Sequence, residues 1–522
     1  MKLSTITISL LLAGSTLFAG ELEDLKAQMN LIQEKLEKAE KDRAELWEVS
    51  EKVETKAFSN KLSWSADLGF RVDSFSFDNN GMGNNIGTQF VDPVPGDGLT
   101  TADKAAAREY AFPQEKKWDP HYSGSLKLDA KAQFTNDTSF NGRMIINWSS
   151  QNEQRLCILS PQNIGDELPS ASSTKFRAID LDRAYFDYKF NKDGAVPMIA
   201  SLGILPTTGG LSLNMMEDKP RKSVFPSIMF ESNVQGAILT GDLSKVTGMD
   251  KTYLRAIYGK AFTLNDDGYY YQCNRENIQN INVMGLFLET ELPLFGVENT
   301  FWIGINKNAD IKATPFLFGS STANVLYNTS IVTQKNLGDI TNYGFGIEAT
   351  SMADGKLDAF FHYAISDPDS NGECVNYSTN ALTNCASSTI GNVRNPGGYY
   401  ESIAGGTLLQ DNGSALYLGV KYDTKSSWET KLGYEFNMGD ESWWSATQGS
   451  EDPFNKLATR GTVHEAYVIQ PITNNISARF GYLRIQSDYT GTGLHFGTTT
   501  GADSLKQDSV QENFYLKVNA FF

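Results

Sequence analysis

From Lys61 onward, hydrophobic and polar positions alternate. Leu62, Trp64, Ala66, Leu68, Phe70 and Val72 are separated by Ser63, Ser65, Asp67, Gly69 and Arg71. One face is apolar and the other polar over about eleven residues, the length of a tilted strand that crosses a bilayer. The pattern returns along the chain. It is read at Leu126–Phe134, Phe140–Trp148, Ala184–Phe190, Met198–Ile204, Ala237–Leu239, Leu254–Tyr258, Met284–Leu288 and Phe301–Ile305. It continues at Tyr343–Ala349, Ala359–Tyr363, Leu416–Tyr422, Trp428–Phe436, Ala466–Val468, Ile476–Tyr482 and Phe514–Phe522. Sixteen segments result, with the sixth and fourteenth the faintest, so the count spans 14–18. The expected fold is all-β: a transmembrane antiparallel β-barrel over 59–522.

The connections support this. Short ones ("TNDT", "NKDG", "LSKVTGMD", "LPLFGVEN", "MADGK", "KSS", "TNN") alternate with long ones rich in Asn, Asp, Gly and Ser. A barrel with tight turns on one side of a membrane and long loops on the other produces this asymmetry. A soluble sandwich or propeller has no need of it. Trp64, Trp148, Tyr188, Tyr422, Trp428 and Phe436 lie toward the ends of apolar stripes, where a bilayer interface takes aromatic side chains.

Upstream of the strands the period is 3.5. Leu22, Leu25, Met29, Ile32, Leu36, Ala39, Arg43, Leu46, Ser50 and Val53 follow at spacings of three and four. This is a heptad seam of about five repeats. It predicts an α-helical coiled coil over 21–58 that self-associates, with a homotrimer as the expected state; a solvated single helix is the alternative. Residues 1–20 have a Lys2 start, an apolar run from Ile6 to Leu12 and small Ala19 and Gly20, which together read as a secretory signal.

The formal charge of -17 argues against a nucleic-acid partner. Export suits disulfides. Cys374 and Cys385 are candidates to close one small loop, and Cys157 and Cys273 form a second candidate pair. Their connectivity is not fixed by sequence, and free thiols are the alternative.

The heptads at 22–53, "LDRAYFDYKF" at 181–190, "LGILPTTGG" at 202–210 and the closing strand together resemble general bacterial porins. They resemble more closely an uncharacterised porin-like outer-membrane family that joins an N-terminal coiled coil to a barrel. The resemblance covers nearly the whole chain. It implies that Phe514, Leu516, Val518 and the terminal Phe522 are read by the barrel-assembly machinery, with Ala520 where such proteins often carry Tyr.

It also implies that the third long loop folds inward. That loop, 206–232, brings together Glu217, Asp218, Lys219, Arg221 and Lys222, and Pro206, Pro220 and Pro226 stiffen it. The expectation is a charged constriction, against the alternative of an exposed loop. Polar strand positions give a second set. Arg71, Lys127, Lys131, Arg143, Arg183 and Arg479 form a basic arc, opposed by Glu289, Glu348, Glu429 and Glu435. Such a wall favours dipolar solutes and leans toward anions.

Other chemistry is sparse. Asp367, Asp369 and Asn371 fall at calcium-loop positions, but Ser378 replaces the closing Glu. His121, His362, His464 and His495 have no metal-ligand spacing, and only His362 is an inward strand-borne base. No nucleophile–base–orienter set is evident. The expected function is a porin for passive diffusion of small hydrophilic solutes, needing no cofactor. The alternatives are a tether from outer-membrane lipid to peptidoglycan and an outer-membrane enzyme.

Overall fold

The structure is a computed structural model. It describes residues 62–79, 115–117, 120–149, 178–261 (without 220 and 222), 281–312 (without 295–296), 336–370, 373–376, 381–384, 400–401, 412–489 (without 446, 448–451, 453 and 455) and 506–522. Of the predicted coiled coil it describes only Glu34, Lys35, Lys38 and Lys41, each helical and exposed. The predicted signal segment, Cys157, Cys273, Cys385, Asn371 and the side chains of Lys222 and Cys374 lie outside the described residues.

Sixteen antiparallel strands form the barrel. They are β1 (Leu62–Asn79), β2 (His121–Gln133), β3 (Thr138–Ser149), β4 (Ala178–Phe190), β5 (Met198–Leu205), β6 (Val234–Asp242), β7 (Tyr253–Ala261) and β8 (Ile281–Leu294). They continue as β9 (Val297–Lys312), β10 (Asn336–Ser351), β11 (Leu357–Ser370), β12 (Gly413–Asp423), β13 (Lys431–Gly439), β14 (Gly461–Thr473), β15 (Ile476–Tyr489) and β16 (Lys506–Phe521). Each pairs with its chain neighbours, and β1 pairs with both β2 and β16, so the sheet closes on itself. The faint sixth and fourteenth segments are complete strands. A short strand, Glu115–Lys117, extends the pairing with β1, and a small sheet of three strands sits in the loop between β11 and β12.

The closing seam sets the register. Leu68 lies opposite Ala520, Phe70 opposite Val518 and Val72 opposite Leu516. The Phe522 amide donates to Ala66 O at 2.9 Å, and Ala66 N–H donates back at 3.0 Å. A slip of one residue would turn every lipid-facing side chain into the lumen.

Alternation places the large apolar side chains outside. Trp64, Phe186, Leu202, Tyr258, Phe480 and Phe514 are each more than half exposed on the outer face. No soluble monomer keeps such a continuous apolar belt, and lipid is what covers it. Trp64, Tyr188, Tyr422 and Trp428 stand exposed near the short-turn rim. Inward positions carry Arg71, Asp73, Arg143, Glu289, Glu435, Glu465 and Arg479 instead.

Two expectations are corrected. Glu429 is not on an inward strand face: it lies in the turn before β13, exposed, at φ 53°. Its carboxylate therefore takes no place in the wall. Asp367 and Asp369 do not form a tight calcium loop. They are extended within β11, opposite Thr341 and Asp339, and a flat strand cannot wrap its oxygens around one ion.

Leu286 lies mid-strand in β8, on the belt. Leu286→Arg is expected to destabilise the barrel by about 2–4 kcal/mol. Lys131→Gln on the inner face should change stability by less than about 0.5 kcal/mol. Urea unfolding in lipid vesicles measures both.

Candidate functional site

The third long loop folds into the barrel. After β5, Thr207, Thr208 and Gly210–Leu213 are buried, and the short helix α1 (Leu213–Glu217) follows. The chain returns through Ser223, Phe225–Ser232 and then β6. The two limbs touch closely. Ser223 N–H donates to Gly209 O at 3.2 Å. A Cβ on Gly210 would lie 1.8 Å from Phe225 O, so this position needs glycine. At the base of the loop, Arg183 Nη2 donates to Thr208 O at 2.7 Å.

Packing fixes the return limb. Phe225, Ile228, Met229 and Phe230 lie in one buried cluster with Phe287 of β8, Trp302 of β9, Phe360 of β11 and Tyr417 of β12. Each such side chain contributes about 1.5–3 kcal/mol on burial, as an upper range. Apolar contact therefore holds the loop against the β8–β12 wall.

Charge fixes the tip. Arg221 Nη2 donates to Glu289 Oε1 at 2.7 Å, and Arg255 of β7 meets the same carboxylate at 3.1 Å. Asp218 accepts from Lys421 of β12 at 2.8 Å and from Lys431 of β13 at 2.5 Å. Glu217 accepts from Lys517 of β16 at 2.7 Å and from Arg479 of β15 at 3.2 Å. Lys219 donates to Asp67 of β1 at 2.8 Å. β8 and β16 stand half a turn apart in the ring. The tip is thus tied to opposite walls, with spokes reaching most sides of the lumen near the short-turn rim.

Burial tends to raise the Glu217 pKa, but Lys517, Arg479 and Lys219 outweigh it and hold the carboxyl well below its ordinary range. Asp218 is lowered too: burial opposes, and Lys421 and Lys431 prevail.

A second loop also enters, which the sequence reading placed outside. Between β13 and β14, Trp443, Trp444, Phe454, Lys456 and Leu457 are buried. Trp443 Nε1–H donates to Leu457 O at 2.8 Å, and Arg460 Nε–H donates to Trp443 O at 2.9 Å. Lys456, 1% exposed, donates to Glu435 Oε2 at 2.5 Å and also to Glu465. Burial works against its charge, yet Glu435 and Glu465 raise its pKa well above the ordinary lysine value. Tyr417 and Tyr467 hydroxyls donate to Glu435, and Tyr515 to Glu465. Lys456 Nζ lies 3.7 Å from Met216 Sδ, so the two inward loops meet.

The basic arc is largely compensated. Arg71 donates to Asp73 through Nε at 2.8 Å and stacks 4.3 Å over the Tyr515 ring. Arg143 pairs with Asp129 at 2.7 Å and lies 3.7 Å from Asp182; Arg183 is 3.4 Å from Asp182. Lys127 is buried and Lys131 exposed. Glu348 sits 3.5 Å from His362 inside the barrel. The basic arc expected from sequence is therefore paired at Arg71, Arg143 and Arg183, because Asp73, Asp129 and Asp182 lie beside them.

Among the described residues, one space left open is a cavity, partly open to solvent, between the third loop and β14, β15, β16 and β1. Four cations (Arg71, Lys219, Arg479, Lys517) and four acids (Glu217, Glu231, Asp452, Glu465) line it. Leu213, Asn214, Met216, Leu483 and Gly209 complete the wall. Among the described residues, no group of His, Cys, Asp or Glu is arranged to hold a metal ion.

A family profile described as "Protein of unknown function (DUF3373)" matches residues 115–518, and the chain belongs to that family. No curated protein matches the chain. Among solved structures, OprB of Pseudomonas putida is similar at 11% identity and TM-score 0.46, over 90% of this chain and 96% of that one. OmpF of Salmonella typhi, solved with daunomycin, is similar at 9% identity and TM-score 0.40, over 88% and 97%. The outer membrane channel DcaP of Acinetobacter baumannii is similar at 11% identity and TM-score 0.39, over 88% and 97%.

Lys456→Met leaves Glu435 and Glu465 buried without their ammonium partner. A loss of about 3–5 kcal/mol is expected. The midpoint of urea unfolding should fall accordingly, and adding Glu435→Gln to Lys456→Met should recover part of the loss.

Proposed function

We propose that this member of the family is an outer-membrane porin that passes small hydrophilic solutes by diffusion through a narrowed lumen. The observation that carries the reading is the charged cavity between the third loop and the β14–β16 and β1 wall. The lipid-facing belt supports the membrane, and the polar, partly open interior supports an aqueous path. The β8–β12 side of the lumen is filled by apolar packing, so solutes pass on the opposite side.

Selectivity follows from the lining. With four cations against four acids, cation and anion permeabilities are expected to be close, and the weak anion lean read from the arc loses support once Arg71, Arg143 and Arg183 are paired. Assembly as a trimer through the 21–58 coil, its contact with peptidoglycan and the role of Phe522 in assembly belong to the proposal and rest on sequence pattern and resemblance. So do the two candidate disulfides.

Purified protein in planar bilayers is expected to give discrete conductance steps. A folded barrel that never conducts would overturn the porin reading and favour the tether. Glu217→Gln leaves Lys517, Arg479 and Lys219 without their shared carboxylate, and the reversal potential in a salt gradient should move toward anions.

Acid tests the same Glu217 contacts. A carboxyl with a depressed folded pKa stabilises the loop fully above its ordinary range and loses that contribution as pH falls through the depressed value. The Glu217-dependent part of the conductance should thus stay flat from neutral pH into the ordinary carboxylate range and change only in stronger acid. Glu217→Gln should remove its contribution to this acid step.

A further inference from the structure

The backbone of the third loop is strained where α1 begins. Ser212 lies at φ 77° and ψ -39°. This is near the γ-turn geometry that L-residues seldom adopt, because Cβ crowds a backbone carbonyl. Ser212 is fully buried, and its hydroxyl donates to Leu211 O at 2.6 Å. Its side chain makes no cap for α1, so the conformation is not rewarded in that way. At the other end of α1, Asp218 is left-handed at φ 51° and ψ 41°, a region that Asp tolerates. A serine in the Ser212 conformation persists only where its surroundings impose it.

Those surroundings hold it from two sides. Upstream, Leu211 is buried and makes a β-bridge with Pro226 of the return limb, which apolar packing fixes on the β8–β12 wall. Downstream, Met216 packs with Tyr467 and Ile469 of β14. Ion pairs then hold the tip: Glu217 with Lys517 and Arg479, Asp218 with Lys421 and Lys431. Ser212 is the joint between an apolar anchorage and a largely ionic one. The Asp218 and Lys431 side chains are 24% and 23% exposed, and ion pairs in contact with water hold less firmly than buried apolar packing. The strain is therefore relieved by release of the charged end.

We propose that Ser212 is a strained hinge that makes α1 a gate. The ion pairs of Glu217 and Asp218 hold α1 across the lumen against the strain, and their release lets α1 swing about Ser212 and widen the passage. The effect on solutes rests on the porin reading; the hinge itself does not. Magnitudes put both states within reach. Strain of this kind shifts an equilibrium by about 5- to 150-fold. A partly exposed ion pair shifts it by about two- to fivefold. Two or three such pairs therefore offset the strain, and losing one of them changes the balance.

Amide hydrogen exchange over residues 211–219 in the full-length, detergent-solubilised protein measures the opening. Ser212→Gly keeps every ion pair and removes the strain. Glycine's own freedom offsets about two- to fivefold of that gain, so protection should rise about tenfold. Ser212→Ala keeps the Cβ and should not raise it. Lys431→Gln removes one ion pair and should lower protection about two- to fivefold. In planar bilayers the wider conductance level should be occupied less in Ser212→Gly and more in Lys431→Gln. Protection in Ser212→Gly no higher than in the unsubstituted protein, or an equal rise in Ser212→Ala, would overturn the hinge. Exchange that shifts as expected while every variant carries the same current would overturn the gate. A folded barrel that never conducts fails the porin reading, and exchange still decides the hinge.

Discussion

A strand inside hydrocarbon has no water to satisfy its amides, so every edge must find another edge. The pairing of β1 with β16 answers that constraint and shapes the rest. It runs from Asp67 opposite Phe521 to Asn79 opposite Ser509, and the last residue is tied to Ala66. Closure forces one face of every strand toward lipid and the other toward a lumen. Side chains unaffordable on the outside collect within: Arg71, Arg143, Arg183, Arg255, Glu289, Glu435, Glu465 and Arg479. The interior of the barrel is thus charged as a consequence of its closure.

Sixteen strands leave more space than wall side chains fill. Among the described residues two loops occupy it, by different forces. The β8–β12 wall presents Phe287, Trp302, Phe360 and Tyr417 inward and takes the return limb of the third loop through Phe225, Met229 and Phe230. The far wall is charged and takes the tip through Glu217, Asp218 and Lys219. The loop between β13 and β14 locks in through Trp443 and the Lys456 bridge. Packing decides that the loops stay in, while charge decides where the tip rests and what shares the space beside it.

Much of this was legible in sequence. Period-two alternation located all sixteen strands, and loop order marked 206–232 as the inward loop. The terminal Phe522 could be placed at the seam because a closing strand must end in register. The second inward loop was missed because its segment reads as polar punctuation. Its signal was present in adjacent Trp443 and Trp444, and in Phe287, Trp302 and Phe360 at positions whose parity points inside. Bulky aromatics facing a lumen require something to cover them. The compensation of Arg71 was also readable, since Asp73 shares its face. That of Arg143 depends on which strands neighbour each other, and on the bulge that brings Asp182 inward, which local pattern does not reveal. Glu429 failed because a turn with a left-handed residue begins the strand later than alternation suggests.

On the proposed porin reading, solutes and ions pass beside α1, between the third loop and the β14–β16 and β1 wall. Replacing Asn214 by cysteine and treating the reconstituted channel with a bulky methanethiosulfonate reagent tests it directly. The unsubstituted channel, with its four native cysteines, is the control. Loss of most of the single-channel current is expected in the variant, with little change in the control. A fully labelled variant that conducts as before would show that the path lies elsewhere.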